Sequence, residues 1–178
     1  MIINMSHLKK NYTIEDMSYL DGNEASVLYS SKANLIKDQY YKKVVDVGCR
    51  TGEINKYLID YDYLYYGFDT SSEPIEYAKQ QYPSKFFELR DWNNLRYLPC
   101  DVIVFGSVLV YAQNPIEMFE RICNFYKPKC AIVHEVNNKN TEQLTYTNLN
   151  YFEQYETEIY EFELNIPVKH RTILNVKL

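Results

Sequence analysis

From Lys43 onward the chain alternates short apolar runs with amphipathic ones. "KVVDV" carries apolar residues on both faces, as suits a strand in the middle of a parallel sheet. "GEINKYLIDY" then carries helical spacing, and "YLYYGF", ending at Asp69, predicts a second strand. "EPIEYAKQQY" predicts a second helix, with Thr70 and Glu73 in capping-box spacing and Pro83 closing it. "KFFEL" and "DVIVF" follow as strands three and four. Asn114 stands at a cap position before Pro115 and Glu117, opening a helix to about Tyr126 that Lys127-Pro128 ends. "CAIVHEV" is a fifth strand. The pattern then changes to strict alternation. Tyr160, Phe162 and Leu164 oppose Glu161, Glu163 and Asn165, and Thr172, Leu174, Val176 and Leu178 share a face further on. A short Pro-containing loop joins these runs, which predicts a closing antiparallel hairpin. Alternating strands and helices give an α/β fold: a three-layer sandwich on a mostly parallel sheet.

The chain has 178 residues, 46% hydrophobic and 24% charged. This length is expected to form one domain, with residues 43–178 as its core and residues 1–42 as a helical or lid segment. The 19 tyrosines carry no functional signal, since each ring suits core, pocket or surface. A net charge of -5 and a pI of 5.3 disfavour a nucleic-acid binder. Lys9, Lys10, Lys37, Lys42 and Lys43 therefore count as a solvated face. The four cysteines form no CxxC pair, as expected of reduced thiols. "MIINMSHLKK" lacks a secretory apolar core, and the run from Val102 to Ala112 is too short to span a bilayer. The expected location is cytoplasmic, without a membrane partner; oligomeric state is not readable.

In an open parallel sheet, ligands bind beyond the carboxyl ends of the strands. Those ends read Asp46-Val47-Gly48-Cys49-Arg50-Thr51-Gly52, Asp69, Asp91-Trp92 and Gly106-Ser107. Glycines at 48 and 52 allow tight turns, and a helix opening near Gly52 would aim free N–H groups at an anionic group. Asp69 has the spacing of a ribose-binding carboxylate.

The ordered segments "DVGCRTG", "YYGFDTSSEPIEYAK", "ELRDW" and "DVIVFGSVLVYAQNPIEMFERI" resemble a class I S-adenosylmethionine-dependent methyltransferase, over about Lys43 to Val136. The resemblance implies a Rossmann-like seven-stranded sheet whose last strand is inserted antiparallel. It implies S-adenosyl-L-methionine as cofactor and a small-molecule acceptor. Asp46 would then orient the methionine amino group, with Gly48, Cys49, Arg50 and Gly52 passing under the cofactor. Asp69, with Thr70 beside it, would hold the ribose diol. Asp91 would receive the adenine amino group, with Trp92 flanking the base. Gly106 and Ser107 would meet the methionine end through their backbone.

Arg50 departs from the pattern, since the family usually has glycine there. Its side chain is expected to keep its head in water, the alternative being contact with the cofactor carboxylate. Tyr111 and His134 are the candidate bases, although packing for Tyr111 and a hydrogen-bonded strand end for His134 are the more ordinary roles. His134-Glu135 lacks further ligands for a metal, and none is expected. Cys49 has a helix-start position that can lower a thiol pKa. Tyr12, Tyr19, Tyr29 and Tyr40 could line a lid or anchor extra helices. Two rivals stand beside methyl transfer. One is a catalytically silent cofactor-binding subunit. The other is a dinucleotide oxidoreductase, disfavoured because G-x-G-x-x-G is absent.

Overall fold

The computed structural model describes residues 23–136, 149–163 and 170–178. Its elements are α1 (Asn23–Asp38), β1 (Lys43–Val47), β2 (Leu64–Asp69), α2 (Ser72–Gln81), β3 (Phe86–Leu89), β4 (Val102–Gly106), α3 (Pro115–Tyr126), β5 (Cys130–Val136), β6 (Thr157–Glu163) and β7 (His170–Lys177). The strands form one sheet in the order β3-β2-β1-β4-β5-β7-β6. All pairings are parallel except those of β7, which runs antiparallel to both β5 and β6. The chain therefore steps outward from β1 to β3, returns to β4 beside β1, and ends with the inserted hairpin.

Side-chain alternation along the central strands splits the core into two layers. Val44, Tyr65, Val102, Val104, Cys130 and Ile132 pack toward Leu28, Ala33 and Ile36 of α1 and Ile75 and Ala78 of α2. Val45, Val47, Phe68, Ile103 and Phe105 pack toward Met118, Phe119 and Ile122 of α3 and toward Phe152. Phe119 meets Phe105 at 5.3 Å and Phe152 at 5.1 Å between ring centroids. The α3 boundaries are as the sequence predicts. Asn114 Oδ1 accepts from the Glu117 amide at 3.2 Å, Pro115 opens the helix, and Lys127 closes it with a left-handed φ of 51°. Such a cap contributes about 1 kcal/mol.

Three expectations are corrected. The segment after β1 holds a five-residue 3-10 helix, Glu53–Tyr57, rather than an α-helix over residues 52–61. Asn55 accompanies the tightening: its Nδ2 donates to Gly52 O, and its Oδ1 accepts from Tyr63 OH, so the side chain ties the first turn to the residue before β2. At α2 the cap residue is Ser71, without a side-chain cap bond, in place of the Thr70–Glu73 box. The alternation of β7 does not separate a wet face from a dry one. Thr172 through Val176 are all buried, because Ile173 joins one core layer and Leu174 and Val176 the other, and β6 takes the exposed edge with Ile159 63% exposed. Leu164 and residues 165–169 lie outside the described residues. Among the described residues no helix is long and apolar enough to cross a membrane.

Candidate cofactor site

The strand order reverses between β1 and β4, and in such a sheet the ligand crevice lies beyond the carboxyl ends of those strands. The backbone there turns sharply. Gly48, Arg50 and Gly52 have φ of 67°, 53° and 71°, and Ser107 after β4 has 55°. A Cβ on Gly48 would stand 2.6 Å from Val108 Cγ2, and one on Gly52 would stand 2.7 Å from Phe87 Cε1. Both glycines let the loop close onto the protein's own side chains.

The loop's amides are also committed internally. Gly48 N and Cys49 N donate to Phe68 O, Gly52 N donates to Cys49 O, and Arg50 N donates to Asp69 Oδ2. These bonds turn the amides of Gly48, Cys49, Arg50 and Gly52 inward, and a 3-10 turn follows them. Positive charge comes instead from a residue the sequence reading missed. Lys32 lies on α1, is 3% exposed, and brings its ammonium to 3.6 Å from where a Gly106 Cβ would be. Its signal was present in the chain: Leu28, Lys32 and Ile36 make an i, i+4 stripe that is buried throughout. A lysine in the middle of such a stripe contradicts its own hydrophobic pattern, since lysines are rarely fully buried.

Asp46 shares this face of the sheet, following Val44 on β1. It is 6% exposed and accepts a 2.7 Å hydrogen bond from Tyr65 OH. Burial pushes its carboxyl up to about 6, against the opposing pull of the Lys32 charge and the Tyr65 bond. His134 belongs to the same face, as the β5 partner of Gly106; it is buried, and its carbonyl accepts from Ser107 N at 2.7 Å. The Ser107 hydroxyl is buried and finds no hydrogen bond among the described residues. Tyr111 is half-buried in the 3-10 turn Leu109–Tyr111 that follows.

Asp69 is half-buried at the end of β2. Oδ2 accepts from Arg50 N and Oδ1 from Ser71 N, which fixes the carboxylate and leaves each oxygen a further lone pair. Thr70 is exposed beside it. Asp91 is exposed, with Oδ1 turned back on the amide and side chain of Asn93. Trp92 is half-buried against the α3 layer, with the Arg121 guanidinium 5.6 Å from its ring centroid.

Three further expectations change. Burial raises the Cys49 thiol well above its ordinary value, and Asp46 and Asp69 add to the effect, so no activated thiolate forms there. Its sulfur packs on Gly67, where a Cβ would stand 2.8 Å away. Arg50 is half-buried rather than fully in water, and its charge lowers the Tyr29 phenol that burial raises. Tyr40 is 78% exposed in the turn before β1, at the end of the sheet opposite the crevice. Tyr12 and Tyr19 lie outside the described residues. Among the described residues no cluster of three His, Cys, Asp or Glu could hold a metal.

Residues 24–164 match a protein family described as a methyltransferase domain. A protein of Invertebrate iridescent virus 6 that bears the name methyltransferase 235L is 33% identical over 89 residues, which is 48% of this chain. The match spans about a third, 34%, of that relative's length. The fold is similar to N-methyltransferase NodS of Bradyrhizobium japonicum, solved with S-adenosylhomocysteine, at a TM-score of 0.73 and 12% identity over 89% of each chain. It is also similar to the magnesium protoporphyrin IX methyltransferase of Synechocystis, at 0.71 and 14% over 97% of this chain and 90% of that one. A TehB-like methyltransferase of Corynebacterium glutamicum gives 0.66 and 22%, over 92% and 97%.

Proposed function

The chain belongs to the methyltransferase-domain family, and we propose that it transfers a methyl group from S-adenosylmethionine to a small-molecule acceptor. The observation that carries this reading is the pairing of buried charges at the β1–β4 crevice: the Asp46 carboxylate and the Lys32 ammonium on one face, with Asp69 at the neighbouring strand end. The cofactor's amino-acid end has one cation and one anion, and a buried site must match both. Asp46 would hold the amino group, Lys32 the carboxylate, and the free lone pairs of Asp69 the ribose diol. The unbonded Ser107 hydroxyl fits a ligand at the same end.

When bound, the cofactor supplies a methyl group activated on a sulfonium, which passes in line to a nucleophile. The protein's part is chiefly to fix donor and acceptor in line. Where the acceptor must lose a proton, His134 is the better candidate base, because it shares the face of Asp46 and Gly106. Tyr111 is the second candidate. A small acceptor is supported by the acidic balance of the chain, which suits a polyanion poorly. The Synechocystis neighbour, named for a porphyrin, is compatible with it.

Calorimetric titration with S-adenosylhomocysteine tests cofactor binding, with micromolar affinity expected. Incubation of metabolite extracts with methyl-labelled cofactor then tests transfer, with label expected in a low-mass product. Binding without any labelled product of any size would leave the silent-subunit reading standing instead.

A further inference from the structure

The hydroxyl of Tyr65 reaches Asp46 along a diagonal of the sheet. Between β1 and β2, Val44 stands opposite Tyr65, and Asp46 stands opposite Gly67. The 2.7 Å bond from the Tyr65 hydroxyl to Asp46 Oδ2 therefore runs two places beyond the tyrosine's own partner. Aromatic side chains have that reach. Gly67 clears the way for it. A Cβ there would stand 2.9 Å from Tyr65 Cε1 and 2.8 Å from Cys49 Sγ. Gly67 lies within β2 and outside the left-handed region, so space rather than backbone conformation calls for a glycine.

The donor is held in place by the core. Tyr65 is buried, with its ring 5.3 Å from that of Phe87 and edge-on to that of Tyr63 at 6.3 Å. A ring packed on two sides leaves its hydroxyl little freedom. Burial raises the phenol well above its ordinary value, so Tyr65 keeps its proton and stays a donor at neutral pH. The bond occupies Oδ2 and fixes the plane of the carboxylate, with the lone pairs of Oδ1 outside it. Other groups also act on Asp46. Lys32 and Tyr29 do so from α1, Cys49 from the loop after β1, and Asp69 and Tyr63 from β2 and the turn before it. His134 lies on the same face of the sheet, on β5.

We propose that Tyr65 is a positioning residue for the amino-acid end of the cofactor: lying across Gly67, it holds Asp46 so that Oδ1 is presented to the ligand's ammonium. The assignment rests on the reading of this crevice as an S-adenosylmethionine site and deepens it. Tyr65 acts through Asp46, without contact with the ligand.

The test uses two ligands, S-adenosylhomocysteine and 5′-methylthioadenosine, which lacks the amino-acid end. The full chain, Y65F, D46N and the double variant D46N/Y65F are titrated with both by calorimetry across pH 5 to 8. Y65F keeps the ring and loses only the hydroxyl. At pH 7.5 its affinity for S-adenosylhomocysteine is expected to fall about tenfold, with 5′-methylthioadenosine changed less than twofold. The pH midpoint of S-adenosylhomocysteine binding is expected to move up by about one unit, because the hydroxyl favours the charged carboxylate. In the D46N background, adding Y65F is expected to change affinity less than twofold. Melts without ligand give a readout independent of binding. Y65F is expected to lose more stability at pH 7.5 than near pH 4, where Asp46 carries a proton. A Y65F chain folded at neither pH counts as an equal loss. Equal losses for both ligands, an unmoved midpoint, a tenfold loss in the D46N background or an equal loss of stability at both pH values each overturn the positioning role, while leaving cofactor binding intact. A wild-type protein that binds neither ligand overturns the underlying reading, and this inference with it.

Discussion

The two ends of the crevice are built differently. At the β1–β4 end, Asp46 and Lys32 are buried on one face, tied to Tyr65 and Tyr29 and backed by His134. At the β3 end, Asp91 is exposed and bonded to its own loop, and Trp92 leans on the α3 layer under Arg121. One end has taken its charges out of water before any ligand arrives; the other has a solvated carboxylate held only by its own loop. Buried, preset charges are worth far more per contact than exposed ones, because water does not screen them. The account therefore assigns most of the binding free energy to the methionine end and little to the adenine end.

The largest break of this contrast is Asp46→Asn. Affinity for S-adenosylhomocysteine is expected to fall about 100-fold, the scale of a lost charge-assisted bond. The empty protein should move the other way. With its folded pKa near 6 against an ordinary 3.8, Asp46 binds more protons folded than unfolded across that window. Stability is thus lost as pH rises from about 4 to 6, and at neutral pH the ionised group costs on the order of 3 kcal/mol. Asp46→Asn should raise the melting temperature by several degrees at pH 7.5 and by almost nothing near pH 4, as a thermal melt series would read. A variant that melts lower at pH 7.5 would contradict the burial argument.

Next in size is Lys32→Met, which keeps the chain length and removes the charge. Affinity should fall ten- to thirtyfold, and the pH midpoint of binding should move up, because the Lys32 charge is the strongest pull holding the Asp46 pKa down. In the unaltered protein, binding should weaken below pH about 6, by up to tenfold per pH step, as Asp46 takes a proton. Lys32, Tyr65 and Asp69 are the groups that tune that midpoint. Smallest are Asp91→Ala and Trp92→Phe, each expected to change affinity less than threefold in the same titration. Trp92 is the sole tryptophan, so saturation with ligand should leave the protein's emission nearly unchanged.

The strands and the inserted hairpin were readable because buried parallel strands and edge strands write different periods into the chain. Asp46 and Asp69 stood out because they lie at the carboxyl ends of strands, Asp46 one residue before the end of β1 and Asp69 closing β2. What escaped was set by contacts between segments distant in sequence. Asn55 bonding Tyr63 accompanies a 3-10 turn in place of an expected α-helix. The amides of Gly48 and Cys49 go to Phe68 and that of Arg50 to Asp69, which no local pattern reveals. Trp92 follows Asp91 in the chain yet serves the opposite layer, because α3 supplies both its packing and its cation. Lys32 was legible in principle, as the one charge in a buried helical stripe, but its destination depended on where α1 docks.

The most direct test compares S-adenosylhomocysteine with 5′-methylthioadenosine by calorimetric titration of the unaltered protein at pH 7.5. If the methionine end carries the binding, losing the amino-acid portion costs 100-fold or more in affinity. Affinities within threefold of each other would contradict the account, and would move the binding energy to the ribose and adenine end.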